Sequence, residues 1–319
     1  MAIHFPLTLV ITSVNSIRVA LALVLLCNVS FAQDTTKKTT MPVPLEALTG
    51  FTQKFYYSAG HEARAKNIAL FLEDAGHYFQ SEVGYTPVTT IYILAPQHWK
   101  GIAAKPLREV YGFPHNIDHA RLAIAAEDND FWRSFVPAVD QLTPQLATQV
   151  ATAYGKPGGS YSMMPFFDLL ALHEMGHSYT AQAGLKMHRY WMGELFVNIM
   201  LHTYVAEKQP ALLPALEVFP NLVAGSLTTT FKFTSLEDFE RLYTTLGMGP
   251  ENYGWYQCKL HIAAKHIYNA AGKKVLIDLW KALKKHQEEM PDETFVKMLK
   301  EEVHPAVAAV YLKWNKADH

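Results

Sequence analysis

The sequence predicts an α+β protein: a small mixed sheet packed on a long helix, followed by a helical C-terminal bundle. Three observations predict it. Segments with strand character, FTQKFYYS, PVTTIYILA and RLAIAAED, are confined to residues 51–128. From Phe166 onward apolar residues recur at helical spacing in nearly every segment. Between the two regimes stands LLALHEMGHSYT, led by the apolar FFDLLAL, a composition that buries its helix.

The elements follow in order. Arg18 precedes the apolar run VALALVLLCNV, which ends at SFAQ. Ser30 and Ala32 are the small residues a signal peptidase requires, so 1–32 reads as a signal peptide. The protein is then expected to be exported, periplasmic or secreted, without membrane insertion after cleavage. Apolar character reaching back to Phe5 makes an N-terminal membrane anchor the alternative. Residues 33–50, opening with the Thr-rich QDTTKKTTMPVP, read as a flexible linker. FTQKFYYS alternates as a half-buried strand does. His61 to Gly84 carries Ala65, Ile68, Ala69, Leu72, Ala75 and Phe79 at helical spacing and closes on glycine. PVTTIYILA is a β-branched strand bounded by prolines, and RLAIAAED a shorter one reached through the loop YGFPHNIDH. Helices are expected at Phe166–Ala183, Tyr190–Glu207, Asn252–Ala271, Lys273–Glu289, Asp292–Glu302 and Pro305–Trp314. The Pro- and Gly-interrupted stretch 209–250 reads as a candidate flap. Residues 51–319 then form one domain, with the sheet and the motif-bearing helices in 51–204 and a helical part in 205–319.

Composition excludes some partners. Lys+Arg is 28 against 29 for Asp+Glu, a formal net charge of -1, so no basic excess invites nucleic acid. Cys258 alone remains after the signal peptide and can form no internal disulfide.

The chemistry is carried by H-E-x-x-H at His173, Glu174 and His177. Residues four apart on a helix share a face, so both imidazoles can point at one metal ion. Glu174 lies beside the ligands without being one, the position of a general base in metal-assisted hydrolysis. A third histidine at metzincin spacing is lacking, since His188 is too far along. Seventeen residues after His177, Glu194 stands among Trp191, Met192, Leu195, Phe196 and Val197. A carboxylate there is costly to bury without a partner, and a metal shared by two helices supplies one.

H-E-x-x-H followed by W-x-x-E on a second helix resembles the gluzincin zinc metallopeptidases, the group of thermolysin and the aminopeptidase N-like enzymes, and in particular bacterial peptidase MA-like domains. The resemblance covers Phe51 to about Tyr204. It implies a thermolysin-like zincin architecture with an active-site helix, Zn2+ held by His173, His177 and Glu194, Glu174 as base, and a peptide or protein substrate. It also implies that Asn198, four residues beyond Glu194, accepts the second N–H of a ligand histidine. An oxyanion donor is expected from the later helix, at Tyr253 or Tyr256, with His261 nearby. RLAIAA is expected to be the sheet edge along which a substrate strand adds. The likeness departs at Leu195, where aminopeptidases have Gly, and no G-x-M-E-N stretch is present; Glu127 and Asp128 are the candidate amine anchors. The alternative function is a catalytically silent zinc-binding module of an exported or surface protein.

Overall fold

The computed structural model describes residues 44–225, 231–245 and 247–315. The expected signal peptide and most of the expected linker lie outside these residues. Within the end of 33–50, however, Glu46–Leu48 forms strand β1, antiparallel to β2 (Lys54–Tyr57). Leu45 and Leu48 pack against the core there, which gives this stretch apolar surface to bury.

Strands β3 (Thr90–Leu94), β4 (His115–Asp118) and β5 (Arg121–Ala125) complete a five-stranded mixed sheet in the order β1-β2-β3-β5-β4. Strands β2, β3 and β5 run parallel, flanked by antiparallel β1 and β4. Two expectations change here. The stretch read as a loop contains β4, and β5 is interior, so β4 is the edge. HNID carries only one strongly strand-forming residue; its extended form comes from pairing with β5 and from Asn116, which is anchored on the neighbouring helix.

Twelve α-helices occur among the described residues: α1 (Glu62–Val83), α2 (Pro96–Ile102), α3 (Asp130–Arg133), α4 (Pro144–Tyr154), α5 (Met164–Gln182), α6 (Tyr190–Lys208), α7 (Leu213–Gly225), α8 (Leu236–Leu242), α9 (Pro250–Ala271), α10 (Lys274–Lys285), α11 (Asp292–Met298) and α12 (Pro305–Lys313). The sequence reading places no helix at α2, α3 or α4. Helix α1 buries the predicted stripe and stops at Gly84, whose φ of 71° is the left-handed conformation glycine adopts cheaply. The expected flap is largely part of the bundle, since α7 packs on α4, α5 and α9, and α8 on α6. No described helix is long and apolar enough to cross a membrane.

Helix α5 joins the two halves. It packs on β4, β5 and α1 on one side and on α6 and α7 on the other. Arg64 of α1 fixes its first turns by a fork onto Asp168, at 2.7 and 3.0 Å, while its Nε donates to Ala125 O at the end of β5. Further along, Gly176 lets α6 come close: a Cβ built there would lie 2.9 Å from Val197 Cβ and Cγ1. That approach brings the polar faces of α5 and α6 together.

Candidate metal centre

Helix α5 presents His173 and His177 on one face, one turn apart, and α6 presents Glu194 against them from its second turn. His173 Nε2 lies 3.2 Å and His177 Nε2 3.7 Å from the same oxygen, Glu194 Oε2. Among the described residues these three form a group that could hold a metal ion, with one donor atom from each within 4.8 Å of the others. Ligands about 2.0–2.1 Å from a tetrahedral zinc are about 3.3–3.4 Å from one another, so the two gaps bracket the expected edge.

The hydrogen bonding favours a cation in that gap. Asn198 Oδ1 lies 2.8 Å from His173 Nδ1, and an amide oxygen only accepts, so Nδ1 carries the hydrogen. In the neutral ring the Nε2 lone pair then faces Glu194 Oε2, a buried atom that receives no hydrogen bond. A lone pair of His173 held against a carboxylate that is 2% exposed is a pairing that a positive charge between them would stabilise. Burial works against ionisation of Glu194, but His177, His173 and the Tyr243 hydroxyl outweigh it and hold the carboxyl well below the usual range. Burial also opposes protonation of His173, yet Glu194, Glu174 and Asn198 together raise its pKa, so a second proton is the competing occupant. Burial lowers His177 to about 4, which leaves it neutral and able to ligate near neutral pH.

Glu174 sits beside this group and takes no part in it. Its Oε2 accepts from Asn116 N of β4 at 2.8 Å, while the Asn116 amide donates to Glu174 O and Ser178 Oγ. Burial pushes its pKa up to about 7, with Glu194 adding to the rise and His173 and the Asn116 N–H opposing it. Asn116 N–H is turned away from β5, so the open edge of the sheet runs past Glu174.

The later helix contributes unevenly. Tyr253 is partly buried near both carboxylates, and desolvation together with Glu194 and Glu174 drives its pKa well up, so the hydroxyl stays protonated. Its oxygen accepts from Gln257 Nε2 at 2.8 Å. Tyr256 is placed elsewhere: its hydroxyl donates to Ser235 O at 2.7 Å, its ring stacks on Trp314, and its charged neighbours are Asp238 and Arg241. His261 does approach the cluster, its ring 6.0 Å from that of His173, and burial holds it neutral with a pKa of about 3. Asp128 is held by Lys156 at 2.9 Å and Arg133 at 3.7 Å, whereas Glu127 is half exposed and lies 3.8 Å from His61 Nε2.

Three residues that sequence spacing does not single out complete the site. Tyr243 donates to Glu194 Oε1 at 2.5 Å, Asn116 positions Glu174, and Gly176 sets the distance between the helices. Only Gly176, inside the motif itself, carries a sequence signal, because glycine in a helix interior costs about 1 kcal/mol against alanine and needs a reason. Comparison of the chain with protein-family models, curated proteins and solved structures finds no match.

Proposed function

We propose that this chain is a zinc metallopeptidase, a hydrolase of peptide bonds in which His173, His177 and Glu194 hold Zn2+ and Glu174 is the general base. One observation carries the reading: Glu174 stands beside the three converging ligand atoms with a carboxylate oxygen fixed by Asn116 N–H and takes no place among the ligands. Zinc, when bound, supplies Lewis acidity toward water and toward a substrate carbonyl.

The remaining steps belong to the chain's own residues. Glu174 Oε1 receives the proton of the attacking water while Oε2 stays on Asn116 N–H, and the same carboxyl returns the proton to the leaving amine. A pKa of about 7, raised by burial, suits a group that must both take and give a proton near neutrality. Tyr253, protonated and near both carboxylates, is the proposed donor to the oxyanion. An extended peptide lies along β4, the open edge beside Glu174, in place of the β5 edge expected from sequence. The SFAQ cleavage pattern supports an exported enzyme.

Cleavage of a fluorogenic peptide library tests the proposal. The full chain loaded with Zn2+ is expected to cleave, a chelator to abolish cleavage, and Glu174→Gln to retain metal with at least a ~100-fold loss of rate. A zinc-loaded wild type that cleaves nothing across the library would leave the silent zinc-binding module as the reading.

A further inference from the structure

The metal ligands use only one oxygen of Glu194. Oε2 faces the two histidines, and Oε1 is taken by the Tyr243 hydroxyl. Tyr243 comes from the turn after α8, inside the stretch that sequence reads as a flap, and that turn is itself held to the start of α6. Glu240 of α8 accepts from Trp191 N at 2.9 Å, a carboxylate on a free N–H of the first turn. The Tyr243 ring stacks on Tyr190 with centroids 4.9 Å apart, and its other ring neighbours are Phe239 and Tyr253. Three contacts therefore fall on residues 190, 191 and 194 of one helix turn, and the last reaches the ligand itself.

We propose that Tyr243 is a positioning residue that fixes Glu194 as a one-oxygen ligand, so that the docking of residues 236–245 on α6 sets metal affinity and coordination number. The inference rests on the zinc reading of the site. With Oε1 held by a hydroxyl, the carboxylate cannot turn to offer both oxygens, and one position beside the metal is left for water or substrate. Without the hydroxyl, Glu194 can rotate in its pocket and bind through both oxygens, which fills that position. Tyr268, a tyrosine of α9 whose hydroxyl donates to Glu207 away from the cluster, has no such hold on a ligand and serves as the internal control.

The test is competitive chelator titration with Zn2+, and the visible spectrum with Co2+ as a substitute ion, on the full chain. Tyr243→Phe keeps the ring and its stacking and removes only the donor. It is expected to weaken Zn2+ binding about 10- to 100-fold, as loss of a partner behind a metal ligand does. Its Co2+ bands should weaken and shift as the coordination number rises, and Tyr268→Phe should leave both readouts unchanged. Glu240→Gln, which loosens the clamp without touching either ring or ligand, should shift both in the same direction by a smaller amount. If wild type binds zinc while Tyr243→Phe and Glu240→Gln match it in affinity and spectrum, the inference is overturned and Tyr243 is a packing residue. If wild type itself binds neither ion, the zinc reading fails, and this one with it.

Discussion

Replacing Gly176 by alanine isolates the distance between α5 and α6. The added Cβ would meet Val197 Cβ and Cγ1 at 2.9 Å, against about 3.5–4.0 Å for comfortable carbon contacts. Val197 is wholly buried and branched at Cβ, and no rotation about χ1 moves its Cβ, so the helices must part by about half an ångström or more. Overpacking of this kind costs about 1–3 kcal/mol, while alanine returns about 1 kcal/mol of helix propensity. The net expectation is a loss of about 1 kcal/mol and a melting temperature lower by roughly 2–4 °C. Because the separation opens between the histidines and Glu194, zinc affinity should fall about tenfold as well. The matched controls are Gly76→Ala in α1 and Gly254→Ala in α9, where an added Cβ meets nothing within 4 Å. These should gain about 0.5–1 kcal/mol. Thermal melts and chelator titration on all three variants decide the matter. If Gly176→Ala stabilises like the controls and binds zinc as wild type does, the close-approach argument is wrong.

Four further expectations follow from the same geometry. Asn198→Ala removes the acceptor from His173 Nδ1 and should weaken zinc binding about 10- to 100-fold, with Asn198→Asp restoring much of it, as chelator titration would read. Zinc affinity should fall as pH drops through the raised pKa of His173, which lies above 6.5, by up to about tenfold per unit, because the proton and the metal compete for one nitrogen. The contribution of His173 to metal-free stability has the opposite sign: it is complete below 6.5 and lost as pH rises through the folded value, as pH-dependent melts with and without chelator should show. Arg64→Met leaves the half-buried Asp168 of α5 without its partner and should cost about 1–2 kcal/mol in urea denaturation.

The parts of the site that sequence shows are those fixed by spacing along a single helix. His173 and His177 share a face because they are four apart, and the apolar neighbours of Glu194 mark it as a buried acid needing a partner. What spacing cannot show depends on where a separate segment docks. Tyr243 reaches Glu194 only because Glu240 and Tyr190 hold its turn to α6. Tyr253 and Tyr256 are three apart, about 60° around the helix, so periodicity alone does not separate the one near the carboxylates from the one bonded to Ser235. In the sheet the β-branched run of β3 is plain, whereas β4 is a strand only through its partners: β5 on one side and Glu174 and Ser178 under Asn116. Length of apolar pattern made the long helices legible, and its absence in α3, and in the polar-interrupted α4, hid them.

The proposed zinc site places a metal ion between α5 and α6. Elemental analysis of the purified full chain, beside Glu174→Gln and Glu194→Ala, tests it most directly. About one zinc per chain is expected in wild type and in Glu174→Gln and far less in Glu194→Ala, with all three proteins folded. A folded wild type that holds no metal after incubation with Zn2+, and whose stability ignores Glu194→Ala, would contradict it and leave His173 as a buried histidine paired with a carboxylate.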